Sequence, residues 1–277
     1  MLRRPFVDEP NSKLAVWSSR LALFSLVVVL LAIVIVRSGV LEIVPALATF
    51  GAALIFAALA ILLAVASFIP IWRQGLGGLR YSILGLMLGA LLLVYPGYLA
   101  YRASKLPEIY DITTDTADPP RFDVLAQSRP PGRTDYPGAV FAAKQKAGYP
   151  DIMPLETDAP PKPVYDVALA LVAKRKWQVV DTRPPAAGRR AGIIEATART
   201  LIMGFRDDVV IRVSAQGTGS RVDVRSASRY GLHDFGANAK RVRALLSDID
   251  DAVSNLPEPR PEPAPSARKP PAKRPKR

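Results

Sequence analysis

"DDVVIRVSAQGTGSRVDVRSAS", residues 207–228, carries the pattern on which the fold turns. In its first half Val209, Ile211 and Val213 point one way while Val210, Arg212 and Ser214 point the other. In its second half Val222, Val224 and Ser226 oppose Arg221, Asp223 and Arg225. Side chains alternate across a strand, so this period of two predicts antiparallel strands with one covered face. "AQGTGS" between them is a hairpin loop.

Working outward, "WQVVD" and "GIIEATART" read as two further strands. Val164, Val167, Ala168, Leu171 and Val172 recur at helical spacing in a helix from Pro163 to Lys176. Val242, Leu245, Leu246, Ile249, Val253 and Leu256 form the apolar stripe of a last helix from about Phe235 to Leu256. The order helix, four strands, helix is an α+β domain, an antiparallel sheet of about four strands packed with two helices. It is expected over residues 163–256. Residues 106–162, dense in Pro, Asp and Gly yet holding Phe122, Leu125, Tyr136, Phe141 and Tyr149, are expected to drape over the domain in extended form. Residues 257–277 alternate proline with charge and are expected to form a disordered, basic tail.

Before the domain the chain changes character. In 277 residues that are 49% hydrophobic with a net charge of +13, the apolar content is concentrated near the N-terminus. Trp17–Val40, Val44–Trp72 and Tyr81–Tyr101 can each supply the roughly 20 apolar residues that a membrane-crossing helix needs. Residues 1–105 therefore read as a three-helix transmembrane region, its first span an uncleaved anchor. Small residues at Gly85, Gly89, Ala53, Ala57, Ala60 and Ala64 suit close helix packing, within the chain or in a dimer. No charged residue lies between Val44 and Ile71 or between Tyr81 and Tyr101 to mark a transport path. Arg3, Arg4, Lys13, Arg20, Arg73 and Arg80 flank the spans on one side; Arg37, Arg102 and Lys105 flank them on the other. The positive-inside rule then puts the N-terminus in the cytoplasm and the domain in the periplasm of a bacterial inner membrane.

The chain has no cysteine and one histidine, which excludes disulfides, thiolate metal sites and thiol nucleophiles and leaves no multi-histidine metal site. No cofactor, metal or nucleic-acid partner is expected. "RSASRYGLHDFGANAKR", residues 225–241, carries the candidate ligand site. Asp234 can cap a helix start there, and Gly231 and Gly236 allow positive φ or close approach. Free amides at that start, with Arg225 and Arg229 nearby and His233 and Asn238 in the same turn, would suit an anion or a partner. The competing reading pairs the arginines with Asp223, Asp234 or Glu195. "LIMGF", residues 201–205, is an apolar hairpin tip, either buried by the draped segment or dipping toward the membrane. The basic tail is either a ligand for anionic lipid or a solubilising extension.

Taken together, "GIIEATARTLIMGFRDDVVIRV", "GSRVDVRSASRYGLHDFGANAKRV" and "ITTDTADPPRF" resemble the bacterial domain of unknown function 1499, in the subgroup with N-terminal membrane spans. The resemblance covers about Ile109 to Val253. It implies a membrane-tethered α+β domain and brings no catalytic residues. The expected function is non-enzymatic: an envelope protein, held in the lipid bilayer, whose domain binds a protein partner, an anionic lipid or another envelope polyanion. The alternative is an enzyme using carboxylates and arginines at Glu195, Asp223, Arg225 and Asp234.

Overall fold

A computed structural model describes residues 10–39, 43–186, 188 and 191–256. The expected tail, 257–277, and Arg3 and Arg4 lie outside the described residues. Three helices come first: α1 (Lys13–Ser38), α2 (Ile43–Gln74) and α3 (Leu79–Ala103). All are long and apolar enough to cross a membrane, so the chain is a multi-pass membrane protein.

The spans pack through small residues. Ala53, Ala57, Ala60 and Ala64 are fully buried along α2. The Ser18 hydroxyl donates to the Ala60 carbonyl at 2.8 Å, and the Ser67 and Ser82 hydroxyls meet at 2.6 Å. A Cβ placed on Gly85 would lie 1.9 Å from Ser18 Oγ, and one on Gly89 would lie 2.9 Å from the Ala57 carbonyl oxygen. The glycine pair therefore serves helix contacts within the chain, where close backbone approach gives dispersion and hydrogen bonding their reach.

The soluble part runs β1 (Asp111–Thr113), a short 3-10 turn at Leu125–Ser128, α4 (Ala139–Gly148), β2 (Leu155–Thr157), α5 (Pro161–Lys174), β3 (Gln178–Arg183), β4 (Ala191–Arg199), β5 (Arg206–Gln216), β6 (Gly219–Ser228) and α6 (Ala237–Ser254). The sheet is antiparallel in the order β1-β6-β5-β4-β3, with β2 also on β6. It has six strands where about four were expected. The two added strands come from the proline-rich segment: β1 pairs with residues 225–227 and β2 with residues 220–222, end to end along one edge of β6. That segment also folds α4, so it is more than an extended cover.

On one face Ile194, Ala196, Val209, Ile211, Val213, Val222 and Val224 meet Val164, Ala168 and Val172 of α5 and Val242, Leu245 and Ile249 of α6 in a single core. Removing this apolar surface from water, at roughly 25 cal/mol per Å², is the main drive to fold the domain.

Candidate functional site

Strand alternation sends Glu195, Thr197, Asp208, Arg212, Asp223 and Arg225 to the face away from the helices. Charges there would be costly if left unpaired, and residues 111–136 cover and pair them. Arg225 Nε and Nη2 donate to the two oxygens of Asp111 at 3.0 and 2.8 Å, and its other donors reach the carbonyls of Pro120 and Thr134. Asp208 accepts from Arg229 Nε at 2.9 Å, Arg129 Nη1 at 2.8 Å and the Thr197 hydroxyl at 3.0 Å. Burial pushes Arg129 below its usual value, with Asp208 opposing the shift. Phe122 lies between these clusters, its ring centroid 4.7 Å from the Arg129 guanidinium and 4.5 Å from that of Arg225. Burial pushes the nearby Tyr136 hydroxyl well above the usual phenol range, and the Asp111 charge adds to it.

Glu195, fully buried, accepts from the backbone amides of Asp123, Val124 and Leu125 at 3.0, 3.2 and 2.8 Å, and from Arg183. It thereby caps the 3-10 turn. Asp223 is held by Arg212, Arg221 and the Thr114 hydroxyl. These carboxylates sit at separate points along the face, each with its own partners.

The loop after β6 is built by backbone geometry. Gly231, Phe235 and Gly236 all have positive φ, at 85°, 54° and 76°. The Asp234 carboxylate accepts from the amides of Gly236 at 2.8 Å and Asn238 at 2.9 Å, closing the start of α6. Burial pushes its carboxyl above the ordinary range although those amides pull the other way. The Asn238 side chain accepts from the Ser226 hydroxyl and donates to the Tyr110 carbonyl, locking α6 to the sheet. His233 Nδ1 accepts from the Phe235 amide at 2.8 Å, and the two rings stack at 5.0 Å. Gly231, His233, Asp234, Gly236 and Asn238 thus share one turn. Arg225 and Arg229 project to the charged face instead, and their carboxylate partners are Asp111 and Asp208.

At one end the domain meets the spans. The β4–β5 tip lies on α1 and α2, where Met203 and Phe205 join Val36, Ala46 and Phe50 in an apolar cluster. Arg37 Nη1 donates to the Leu201 carbonyl at 2.6 Å and to that of Ile202 at 3.1 Å. The tip is therefore turned to the spans, away from the proline-rich segment. A cleft of about 110 Å³ beside it is lined by Val36, Gly39, Ile43, Gly204, Arg206, Arg229 and Tyr230. Arg199 and Arg206 stand directly opposite each other across β4 and β5. Among the described residues neither they nor Arg37 pairs with a carboxylate. A second contact joins α3 to the loop: a Cβ on Gly236 would lie 3.0 Å from Leu106 Cδ1 and 3.1 Å from Arg102 Nη2.

The sequence pattern gave no role to Arg199 and Arg206 and placed Arg37 only among the charges that flank the spans. The available signal was two arginines bracketing an apolar hairpin tip. Among the described residues no group of three or more acidic or histidine side chains is placed to hold a metal.

No curated protein matches the chain. Solved structures similar to part of it include CalU16 from Micromonospora echinospora, at 15% identity over 36% of this chain and 76% of that one, with a TM-score of 0.21. Ara h 8.0201 is another, at 13% identity over 37% and 95%, with a TM-score of 0.22. A family model described as "Protein of unknown function (DUF1499)" matches residues 111–249, half of the chain, from the start of β1 into the last turns of α6. The chain therefore belongs to the DUF1499 family.

Proposed function

We propose that this is a non-enzymatic inner-membrane protein whose periplasmic domain binds an anionic envelope component at the end that faces the bilayer. One observation carries the reading: Arg37, Arg199 and Arg206 gather where the β4–β5 tip rests on α1 and α2, without a carboxylate partner among the described residues. The domain's buried arginines, Arg129, Arg225 and Arg229, are by contrast each paired with a carboxylate. In this reading Arg229 belongs to the binding end, since it lines the cleft, whereas Arg225 holds the covering segment. Gly231, His233, Asp234, Gly236 and Asn238 shape the neighbouring turn. The enzyme alternative finds less support, because Glu195, Asp223, Arg225 and Asp234 each answer to different partners at separate points.

Orientation rests on the flanking charges, six Lys or Arg on one side against three on the other. A periplasm-active reporter fused after Leu256 is expected to be active, and one in the loop at Gln74–Gly78 silent. The reverse pattern refutes the periplasmic assignment. Detergent-extracted full-length protein is expected to retain an anionic component that Arg199→Gln with Arg206→Gln loses; equal retention by both refutes the binding site.

A further inference from the structure

We propose that the cleft between the β4–β5 tip and the ends of α1 and α2, lined by Arg206 and Arg229, holds the phosphate of an anionic phospholipid headgroup, with Arg37 and Arg199 adding their charge beside it. The proposal rests on the membrane-facing binding end argued above and names its ligand.

Like charges directly opposite across an antiparallel pair are destabilising, and Arg199 and Arg206 occupy such a pair. An anion between them removes the repulsion and gains charge-assisted hydrogen bonds. Arg37 Nη1 is taken up by the carbonyls of Leu201 and Ile202, while its Nε and Nη2 make no hydrogen bond among the described residues. Arg206 Nη2 lies against Gly39, 3.1 Å from where a Cβ would stand. Arg229, in the cleft wall, shares the single carboxylate of Asp208 with Arg129, so this buried cluster carries a surplus positive charge toward the same space.

Tyr95, Tyr98 and Tyr101 are exposed on the last turns of α3, the end that carries Arg102 and Leu106 to the domain, as in an aromatic belt at the headgroup level. Deeper along α1 and α2 than the cleft residues Val36 and Ile43, Leu30, Val34, Val44 and Leu47 are exposed and apolar. Leu201, 91% exposed, stands on the tip beside the arginines. A phosphate carrying acyl chains matches both halves of this surface, whereas a free phosphate matches only the upper one. The space, about 110 Å³, admits a headgroup phosphate and no folded partner.

Full-length protein is placed in nanodiscs of phosphatidylcholine alone or of an equal mixture with phosphatidylglycerol, and amide exchange is followed at residues 200–206. Phosphatidylglycerol is expected to slow exchange about tenfold in the wild type and in Lys144→Gln with Lys146→Gln, whose lysines lie on α4. Arg199→Gln with Arg206→Gln is expected to abolish the effect. Exchange indifferent to phosphatidylglycerol, or slowed equally in the arginine variant, overturns the proposal. Equal slowing by inorganic phosphate in phosphatidylcholine discs also overturns it, since the site then takes a free anion. A disulfide formed by Val36→Cys with Met203→Cys reports separately whether the tip sits on α1. With that disulfide intact, failure of the lipid effect removes the lipid and leaves the membrane-facing reading; loss of both removes both.

Discussion

Arg225 on β6 grips both carboxylate oxygens of Asp111 on β1, at 3.0 and 2.8 Å, with the two side chains 1% and 0% exposed. The pair fastens the beginning of the proline-rich segment to the sheet. Removing one member leaves the other charge buried and alone, which costs about 3–5 kcal/mol. Asp111→Asn is expected to lower the stability of the full chain by that order in chemical unfolding. The double variant Asp111→Asn with Arg225→Gln is expected to lose less than the two single losses added together. Additive losses would mean that the two groups do not act as a pair.

Glu195 has a different task, since its acceptors hold three consecutive amides of the covering segment. Glu195→Gln keeps one oxygen and turns an NH₂ toward amides that need an acceptor. Hydrogen bonds to charged groups are worth about 1.5–3 kcal/mol, so the 3-10 turn is expected to loosen by that order. Amide exchange at residues 123–128 checks this, and unchanged protection there contradicts it.

The hairpin of β5 and β6 was legible in advance because Val209, Ile211, Val213, Val222 and Val224 alternate with polar residues whatever their partners. β1 and β2 were not, being three residues each within proline-rich sequence and stabilised by an edge of β6 that folding brings to them. Composition likewise announced many arginines and aspartates but no pairing. Arg225 finds Asp111 across 114 residues, and Asp208 takes Arg129 from 79 residues away. In the candidate site the capping role of Asp234 could be read from the chain; the meeting of Arg37 with the β4–β5 tip could not, because 164 residues separate Arg37 from Leu201.

The turn before α6 separates backbone strain from contact with the spans. Gly231 and Gly236 have similar positive φ, so an alanine at either is expected to cost about 1–2 kcal/mol. A Cβ at Gly236 also presses on Leu106 and Arg102, whereas one at Gly231 meets only the His233 carbonyl oxygen, at 3.7 Å. Gly236→Ala is therefore expected to destabilise the full chain more than Gly231→Ala. Equal losses would show that α3 does not press on this turn.

Asp234 predicts a dependence on pH of defined sign. Burial raises its carboxyl in the folded chain, which favours the protonated form there. Its stabilising contribution is then complete below the ordinary value of about 4 and is lost as pH rises through the raised folded value. Asp234→Asn removes this titration along with one capping acceptor. Relative to the wild type, the variant is expected to gain stability as pH rises from about 4 and to level off above the folded midpoint. A relative gain in the acid direction contradicts the assignment.

The seat of the β4–β5 tip on the membrane spans can be tested by crosslinking, because the chain has no cysteine of its own. Val36→Cys with Met203→Cys places two thiols within the one apolar cluster shared by α1, α2 and the tip. Oxidation of membranes holding the full-length variant is expected to join them within a single chain. Val36→Cys with Thr218→Cys, at the turn between β5 and β6, is expected to stay reduced. Free thiols at positions 36 and 203 in protein that is otherwise folded would show that the tip does not rest on α1.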